Sequence, residues 1–288
     1  MLTWVPVWPC TLLEHFRVQY VVAGAVLLAA VAALRMHGWI DVAAIAMLVH
    51  ALPLVVDLTR SPRSGAAGGG EIRVLMLNVR TENRHVDQVR QLIADEKPDI
   101  VGLVEVDRRW IAGVAPAVSD FVGRIEEPRD DHFGVALYAR GRVAGAIERL
   151  GSDLPSAVAE VEIRDARLRV VLMHPMPPIN ADAMRLQERQ VAAVAERVRA
   201  LEEPLVVMGD FNTTPWSRVF ARLVEHTGLC DSRAGFGIQA SFPSDMAILR
   251  IPIDHLLASC SIGVRARRIG PQVGSDHLPA IVDLTIPR

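Results

Sequence analysis

Two long stretches without a charged side chain most restrict what this chain can fold into. Residues 18–34 lie between Arg17 and Arg35, and residues 42–56 between Asp41 and Asp57. Both consist almost wholly of Val, Ala, Leu, Ile and Met. A helix on the surface of a soluble domain keeps a polar face, and neither stretch has one. Each is near the short end of what crosses a bilayer. Joined through Met36-His37-Gly38-Trp39, they are expected to pair as a transmembrane helical hairpin within residues 1–60, the alternative being the buried hairpin of a soluble protein. Residues 1–13, with Trp4, Trp8, Pro6 and Pro9, suit a membrane interface better than a regular helix. No Lys or Arg precedes the apolar run, and no small-residue cleavage site follows it, which argues against a signal peptide. Arg17, Arg60 and Arg63 flank the open end of the hairpin and Arg35 alone lies in its loop. The positive-inside rule then predicts a multi-pass protein of the cell (inner) membrane, with both ends and the domain that follows in the cytoplasm.

The run S-P-R-S-G-A-A-G-G-G at 61–70 reads as a flexible linker, and residues 71–288 as a separate domain. The net charge of −2 gives no overall basic signal for nucleic acid. Lys97 is the one lysine. Cys10, Cys230 and Cys260 are odd in number and widely spaced. They fit neither a disulfide framework nor a zinc knuckle, and are expected to be idle or buried thiols.

From Glu71 onward short apolar runs alternate with turns. Strands are expected near 72–79, 100–106, 133–140, 158–163, 168–173, 205–208, 253–258 and 280–286. Helices are expected at 86–96, 181–201 and 215–226. Many strands with few helices predict a layered α/β or α+β domain.

Five of these runs end in a polar residue that a core strand does not need: Asn78, Glu105, His174, Asp210 with Asn212, and Asp254. Asp276-His277 immediately precedes the last strand. In L-V-V-M-G-D-F-N-T-T-P at 205–215, the period of two puts Asp210 and Asn212 on one side and Phe211 on the other. An ordinary Asx-type turn would use the same residues. Taken together, the groups make chemical sense at one rim of a sheet. Glu105 and Asn78 offer hard oxygen ligands suited to Mg²⁺ or Mn²⁺. No H-E-x-x-H zinc spacing is present. His277 with Asp254 has the pattern of a general base and its orienting carboxylate. His174 and Asn212 have the chemistry to clamp phosphate oxygens.

The set N-V-R at Asn78, L-V-E-V at Glu105, V-L-M-H-P at His174, G-D-F-N at Asp210, I-D-H at Asp254 and S-D-H at Asp276 resembles the endonuclease/exonuclease/phosphatase (DNase I-like) superfamily, over about residues 71–288 and in family order. The resemblance implies an α+β fold, a four-layer αββα sandwich with the site at one rim, here preceded by the hairpin. It implies metal ligation by Glu105, Asn78 and Asp276, and water activation by Asp210. Asn212 and His174 would contact phosphate or leaving group, and His277, paired with Asp254, would be the catalytic histidine. His174 is followed by the stiff run Pro175-Met176-Pro177-Pro178, unlike DNA-repair members, and no basic or aromatic DNA-binding insertion is visible. His132 is a candidate substrate contact or a plain loop histidine. The hairpin resembles the arrangement of a bacterial, membrane-anchored subgroup. The expected function is a membrane-anchored phosphoesterase dependent on Mg²⁺ or Mn²⁺, hydrolysing a lipid-derived or small phosphodiester, or a phosphomonoester. The alternatives are a DNase I-like nuclease acting on nucleic acid and a non-catalytic membrane-tethered binding module.

Overall fold

The computed structural model describes residues 8–65, 69–164 and 166–287. A short α1 (Cys10–Leu13) leads through a 3₁₀ turn into α2 (Arg17–Ala33) and α3 (His37–Leu58). These two helices pack on each other, with Gly24 close against Met47 and the Tyr20 and His50 rings 4.8 Å apart. The continuous helical stretch Cys10–Ala33, which includes α2, and α3 are each long and apolar enough to cross a membrane. Their outward faces carry exposed Val22, Val26, Ile45, Leu48 and Leu52.

The chain then runs β1 (Gly70–Asn78), α4 (Val86–Glu96), β2 (Ile100–Val104), α5 (Arg108–Val114), β3 (Gly123–Glu127), β4 (Val135–Ala139), β5 (Arg142–Arg149), β6 (Pro155–Ile163) and β7 (Ala166–Met173). It continues with α6 (Ala181–Arg199), β8 (Leu205–Asp210), α7 (Arg218–Thr227), β9 (Cys230–Asp231), β10 (Asp254–Ala258), β11 (Gly263–Ile269) and β12 (Ala280–Ile286). Two six-stranded sheets form, in the orders β11-β12-β1-β2-β4-β3 and β5-β6-β7-β8-β10-β9. β1 and β2 are parallel, as are β7 and β8, and the other pairs are antiparallel.

Alternation along the central strands explains the four layers. Val74 and Met76 of β1 point into the interior between the sheets, where Leu172, Val206, Met208 and Leu256 of the second sheet meet them. Leu75 and Leu77 point the other way, onto Val89 and Ile93 of α4 and Trp110 of α5. Val171 and Val207 likewise face Val191 and Val194 of α6 and Phe220 of α7. Strands apolar on both faces therefore sit between two helical layers, and the domain is an αββα sandwich.

Three regions depart from the sequence-based expectations or add to them. Cys230 and Cys260 form a disulfide across 30 residues, with Cα atoms 5.2 Å apart, and only Cys10 is free. This corrects the expectation of idle thiols. β9 pairs with β10 so that Cys230 lies opposite Ala258, two residues before Cys260, and linear spacing does not report that pairing. The segment at 61–70, read as a flexible linker, is held at Arg63. The Arg63 carbonyl accepts from the Val264 amide at 2.9 Å, and its guanidinium donates to the carbonyls of Asp231 and Cys230. The N-terminal segment also grips the sandwich. Trp8 Nε1 donates to the Pro178 carbonyl (3.0 Å), His15 Nδ1 lies 3.0 Å from Thr214 Oγ1, and Gln19 Nε2 donates to the carbonyls of Ile248 (3.0 Å) and Arg250 (3.3 Å). At the far end of the hairpin, Asp57 accepts from the buried Arg233 guanidinium at 3.1 Å.

Candidate active site

The topology brings the polar strand ends together at one rim. β1 delivers Asn78, its parallel neighbour β2 delivers Glu105 one residue past its end, and β7 delivers His174. β8 ends at Asp210, which lies opposite Asp254, the first residue of antiparallel β10. His277 sits just ahead of β12, whose Ala280 pairs with Met76 of β1. At the turn out of β8, Gly209 has φ +146, and a Cβ there would lie 1.8 Å from the Met173 carbonyl oxygen. Only glycine lets β8 pass so close to the strand that carries His174.

Within the site, His277 Nδ1 is 2.8 Å from Asp254 Oδ2, and its Nε2 is 3.5 Å from Asp210 Oδ2. His174 Nε2 reaches the same Asp210 oxygen at 3.6 Å. Asn78 Nδ2 bridges the two halves of the site, donating to Glu105 Oε1 (2.7 Å) and Asp210 Oδ2 (3.1 Å), while its oxygen accepts from the Arg80 amide (2.9 Å). The amide nitrogen of Asn78, not its oxygen, thus faces the carboxylates. The Glu105 carboxylate also takes a long contact from the Thr81 amide (3.4 Å), and its backbone is left-handed at φ +62. Asp276 stands at the outer edge, 35% exposed and 4.0 Å from Arg80 Nε.

Asn212 is placed differently from the expectation of an amide aimed beside Asp210. Its backbone N–H donates to Asp210 Oδ1 (2.9 Å), but its side-chain amide donates to the Pro175 carbonyl (3.0 Å), tying the two loops together. His132 is half exposed, with Nδ1 3.3 Å from Glu82 and 3.8 Å from Glu105.

Burial and charge set the protonation states. Burial raises the Asp210 carboxyl above its usual range, opposed by the charge of His277. Burial likewise raises Glu105, opposed by the hydrogen bond from Asn78. It lowers His174, which is therefore a neutral imidazole at pH 7. Burial alone would lower His277 too, but the charges of Asp254 and Asp210 outweigh it and raise this histidine to about 10. At neutral pH the protonated His277 ring sits between the carboxyl groups of Asp254 and Asp210, beside a neutral histidine.

The donor set fits a hard divalent cation. Ligand atoms of Asp210, Asp254 and His277 lie within 4.8 Å of one another. Of these, Asp254 is already engaged by His277, and the Asn78 amide ties the Glu105 carboxylate, from the other half of the site, to Asp210. Such oxygens suit Mg²⁺ or Mn²⁺.

Four supporting residues escaped the sequence. Gln187 of α6 donates its amide to the carbonyls of Phe211 (3.2 Å) and Asn212 (2.9 Å). Ser275 Oγ donates to the Asn78 carbonyl (2.7 Å) and accepts from the His277 amide (3.0 Å). The Phe242 ring lies 4.7 Å from that of His277. Arg267 donates to the Asp254 carbonyl at 3.1 Å. Gln187 did leave a trace, as a polar side chain within the buried stripe Met184, Val191, Val194. A cleft of about 380 Å³ lies at the end of β1 opposite Asn78, beside Glu71 and Arg73.

No curated protein matches the sequence. Solved structures do. A D. rerio TDP2 complexed with single strand DNA product is 14% identical, covers 75% of this chain and 99% of its own, and superposes with a TM-score of 0.64. The 3' phosphatase NExo from Neisseria, bound to product DNA hairpin, is 21% identical, with 73% and 98% covered and a TM-score of 0.61. An endonuclease/exonuclease/phosphatase from Beutenbergia cavernae DSM 12333 is 19% identical, with 75% and 72% covered and a TM-score of 0.58. At these identities the likeness is one of fold. The sequence itself carries the rest: the model of the Endonuclease/Exonuclease/phosphatase family matches residues 75–277, from the middle of β1 to His277, and the chain belongs to this family of metal-dependent phosphoric ester hydrolases.

Proposed function

We propose that this protein is a membrane-anchored phosphoesterase that uses Mg²⁺ or Mn²⁺ to hydrolyse a lipid-derived or small phosphodiester, with residues 1–60 as anchor, 61–70 as connection and 71–288 as catalytic domain. The observation that carries the reading is the convergence of Glu105, Asp210 and the Asp254–His277 pair on the amide of Asn78. A bound divalent cation would polarise a phosphoryl oxygen and acidify a water.

The chain's own groups then divide the work. Glu105, with Asp276 at the edge, would hold the cation, and Asn78 would fix the Glu105 carboxylate. Asp210, raised by burial, is suited to take the proton of the attacking water as its oxygen bonds to phosphorus. The His277 imidazolium, with Nε2 beside Asp210, is placed to stabilise charge gathering on the phosphoryl oxygens. Neutral His174 has an N–H to offer the leaving oxygen as the P–O bond breaks. Asn212 holds the Pro175 loop in place, and its role toward phosphate would be indirect.

Two helices able to span a bilayer support the anchor. Which side the domain occupies follows from weighing two signals. The arginine count favours the cytoplasm by a few charges. The Cys230–Cys260 disulfide favours an oxidising compartment, since such bonds rarely persist in the cytosol. A persistent disulfide outweighs a margin of a few charges, and the domain is assigned to the outer side. A second reading, a nuclease, draws on the two solved relatives whose structures hold DNA. The net charge of −2 argues against it.

The test is hydrolysis of bis(p-nitrophenyl) phosphate and of DNA by the full protein in detergent. Turnover of the diester should require Mg²⁺ or Mn²⁺ and fall by roughly 10²–10⁴ in Asp210→Asn, as for a lost acid–base group. Activity that persists unchanged in excess EDTA would overturn the metal reading. Absence of any turnover would favour the binding module, and preference for DNA the nuclease.

A further inference from the structure

Past Leu58, five large apolar side chains among the described residues are exposed: Val122, Ile179, Met246, Ile248 and Leu249. Four of the five lie on two loops. Ile179, 65% exposed, ends the loop that begins with His174. Met246, Ile248 and Leu249 form the tip of the loop that closes through the Phe242–Ile251 bridge, and Ile248 is 87% exposed. Both loops belong to the rim of the site. The second is fastened beside His277 by the stacked Phe242 ring and by the Ser244 amide, which donates to the Asp276 carbonyl at 2.7 Å.

Both loops are also what the N-terminal segment holds on its way into α2. Trp8 bonds the Pro178 carbonyl, next to Ile179, and Gln19 bonds the carbonyls of Ile248 and Arg250. Gln19 lies in the first turn of α2, two residues past Arg17, where the uncharged run 18–34 begins. The helical stretch reaches back to Cys10, but the charge of Arg17 keeps that part out of the hydrocarbon, where a charged side chain is costly. The first turn of α2 therefore stands at the edge of the hydrocarbon. The side chain of Ile248, whose carbonyl is bonded to that turn, stands at the same depth. An aliphatic side chain there gains by leaving water.

We propose that Ile248, with Met246, Leu249 and Ile179, seats the catalytic domain in the surface of the bilayer that α2 and α3 cross, and that the site therefore takes phosphodiesters of lipids held in that bilayer. The second clause rests on the phosphoesterase reading; the first rests only on the hairpin spanning the membrane. The rim that carries His174 and His277 then faces the headgroup layer, where the phosphate of a lipid lies while its acyl chains stay in place.

Full-length protein reconstituted in phosphatidylcholine/phosphatidylglycerol vesicles tests the two clauses separately. In Ile248→Trp, the fluorescence added over the parent protein should be quenched by lipids brominated high on the acyl chain and spared by aqueous iodide. Quenching by iodide alone overturns the membrane contact, whatever the catalytic result. In Ile248→Ser/Leu249→Ser, hydrolysis of a headgroup-labelled phosphatidylcholine in the same vesicles should fall about tenfold, with turnover of soluble bis(p-nitrophenyl) phosphate unchanged. Equal loss on both substrates, or no loss on the lipid, overturns the lipid-substrate clause. If the parent protein turns over neither substrate, the phosphoesterase reading fails and the lipid-substrate clause with it, while the quenching result still decides the contact.

Discussion

His277 is 4% exposed and has a carboxylate on each ring nitrogen, Asp254 at 2.8 Å from Nδ1 and Asp210 at 3.5 Å from Nε2. Its folded pKa of about 10 lies above the 6.5 of a free histidine. The pair's contribution to stability is therefore complete below pH 6.5, shrinks as pH rises, and is gone above pH 10. In metal-free protein, Asp254→Asn should lower the melting temperature most near pH 6–7, and the gap to the parent should close toward pH 10. A gap independent of pH over that range would mean that the carboxylate acts only through packing. Asp254 and His277 were legible in the sequence because Asp254 interrupts an apolar run where a strand begins and His277 stands just ahead of the last strand. Phe242 and Gln187 were not, because what they do depends on neighbours distant in the chain. The orientation of the Asn212 amide was illegible for the same reason: its partner is the Pro175 carbonyl.

The strands read from sequence and those missed divide along a physical line. β3, β5, β9 and β11 went unread, and these are the four edges of the two sheets. An edge strand has fewer neighbours and needs no apolar run on both faces. β5 is largely exposed, and β11 carries Arg265, Arg267 and Arg268 in seven residues. The interior strands β1, β2, β4, β6, β7, β8, β10 and β12 have apolar runs because both of their faces are covered. The edges also hold the disulfide, which ties β9 to the turn after β10. Closing a 30-residue loop is worth about 3–4 kcal/mol in the chain-entropy treatment. Replacing both Cys230 and Cys260 by serine should lower stability by that order, measured by denaturant unfolding of the full protein in detergent. No change would mean that the pairing of β9 with β10 alone restrains the unfolded chain as well.

For the whole molecule, the uncharged runs at 18–34 and 42–56 predict that the protein sediments with membranes and resists extraction by alkaline carbonate. Recovery in the soluble fraction without detergent would refute the anchor. A chain beginning at Ser61 should be soluble and folded, since both sheets and the layer of buried residues between them lie beyond that point. It would lack Trp8, His15 and Gln19, which hold the loops after β7 and β8 and the loop at 242–251. Faster proteolytic cleavage within 175–180 and 245–250 than in the full protein is expected, and equal rates would show those contacts to be dispensable. The change of texture at Glu71 coincides with the start of β1. The mutual grip of hairpin and sandwich was not legible, because it rests on single polar pairs such as Asp57 with Arg233.

That grip changes what an anchored enzyme can reach. A domain hung on ten glycine-rich residues would swing through a hemisphere and sample the water around it. Here the chain holds the sandwich at both ends of the hairpin, through Trp8, His15 and Gln19 at its start and through Asp57 and Arg63 at its close. In a membrane such a body can rotate about the normal and drift sideways, but it cannot tip or lift. Encounters become two-dimensional. The quantity that sets turnover is then the mole fraction of substrate among neighbouring molecules in the sheet, and diluting the surface with inert lipid should slow the protein as surely as removing substrate.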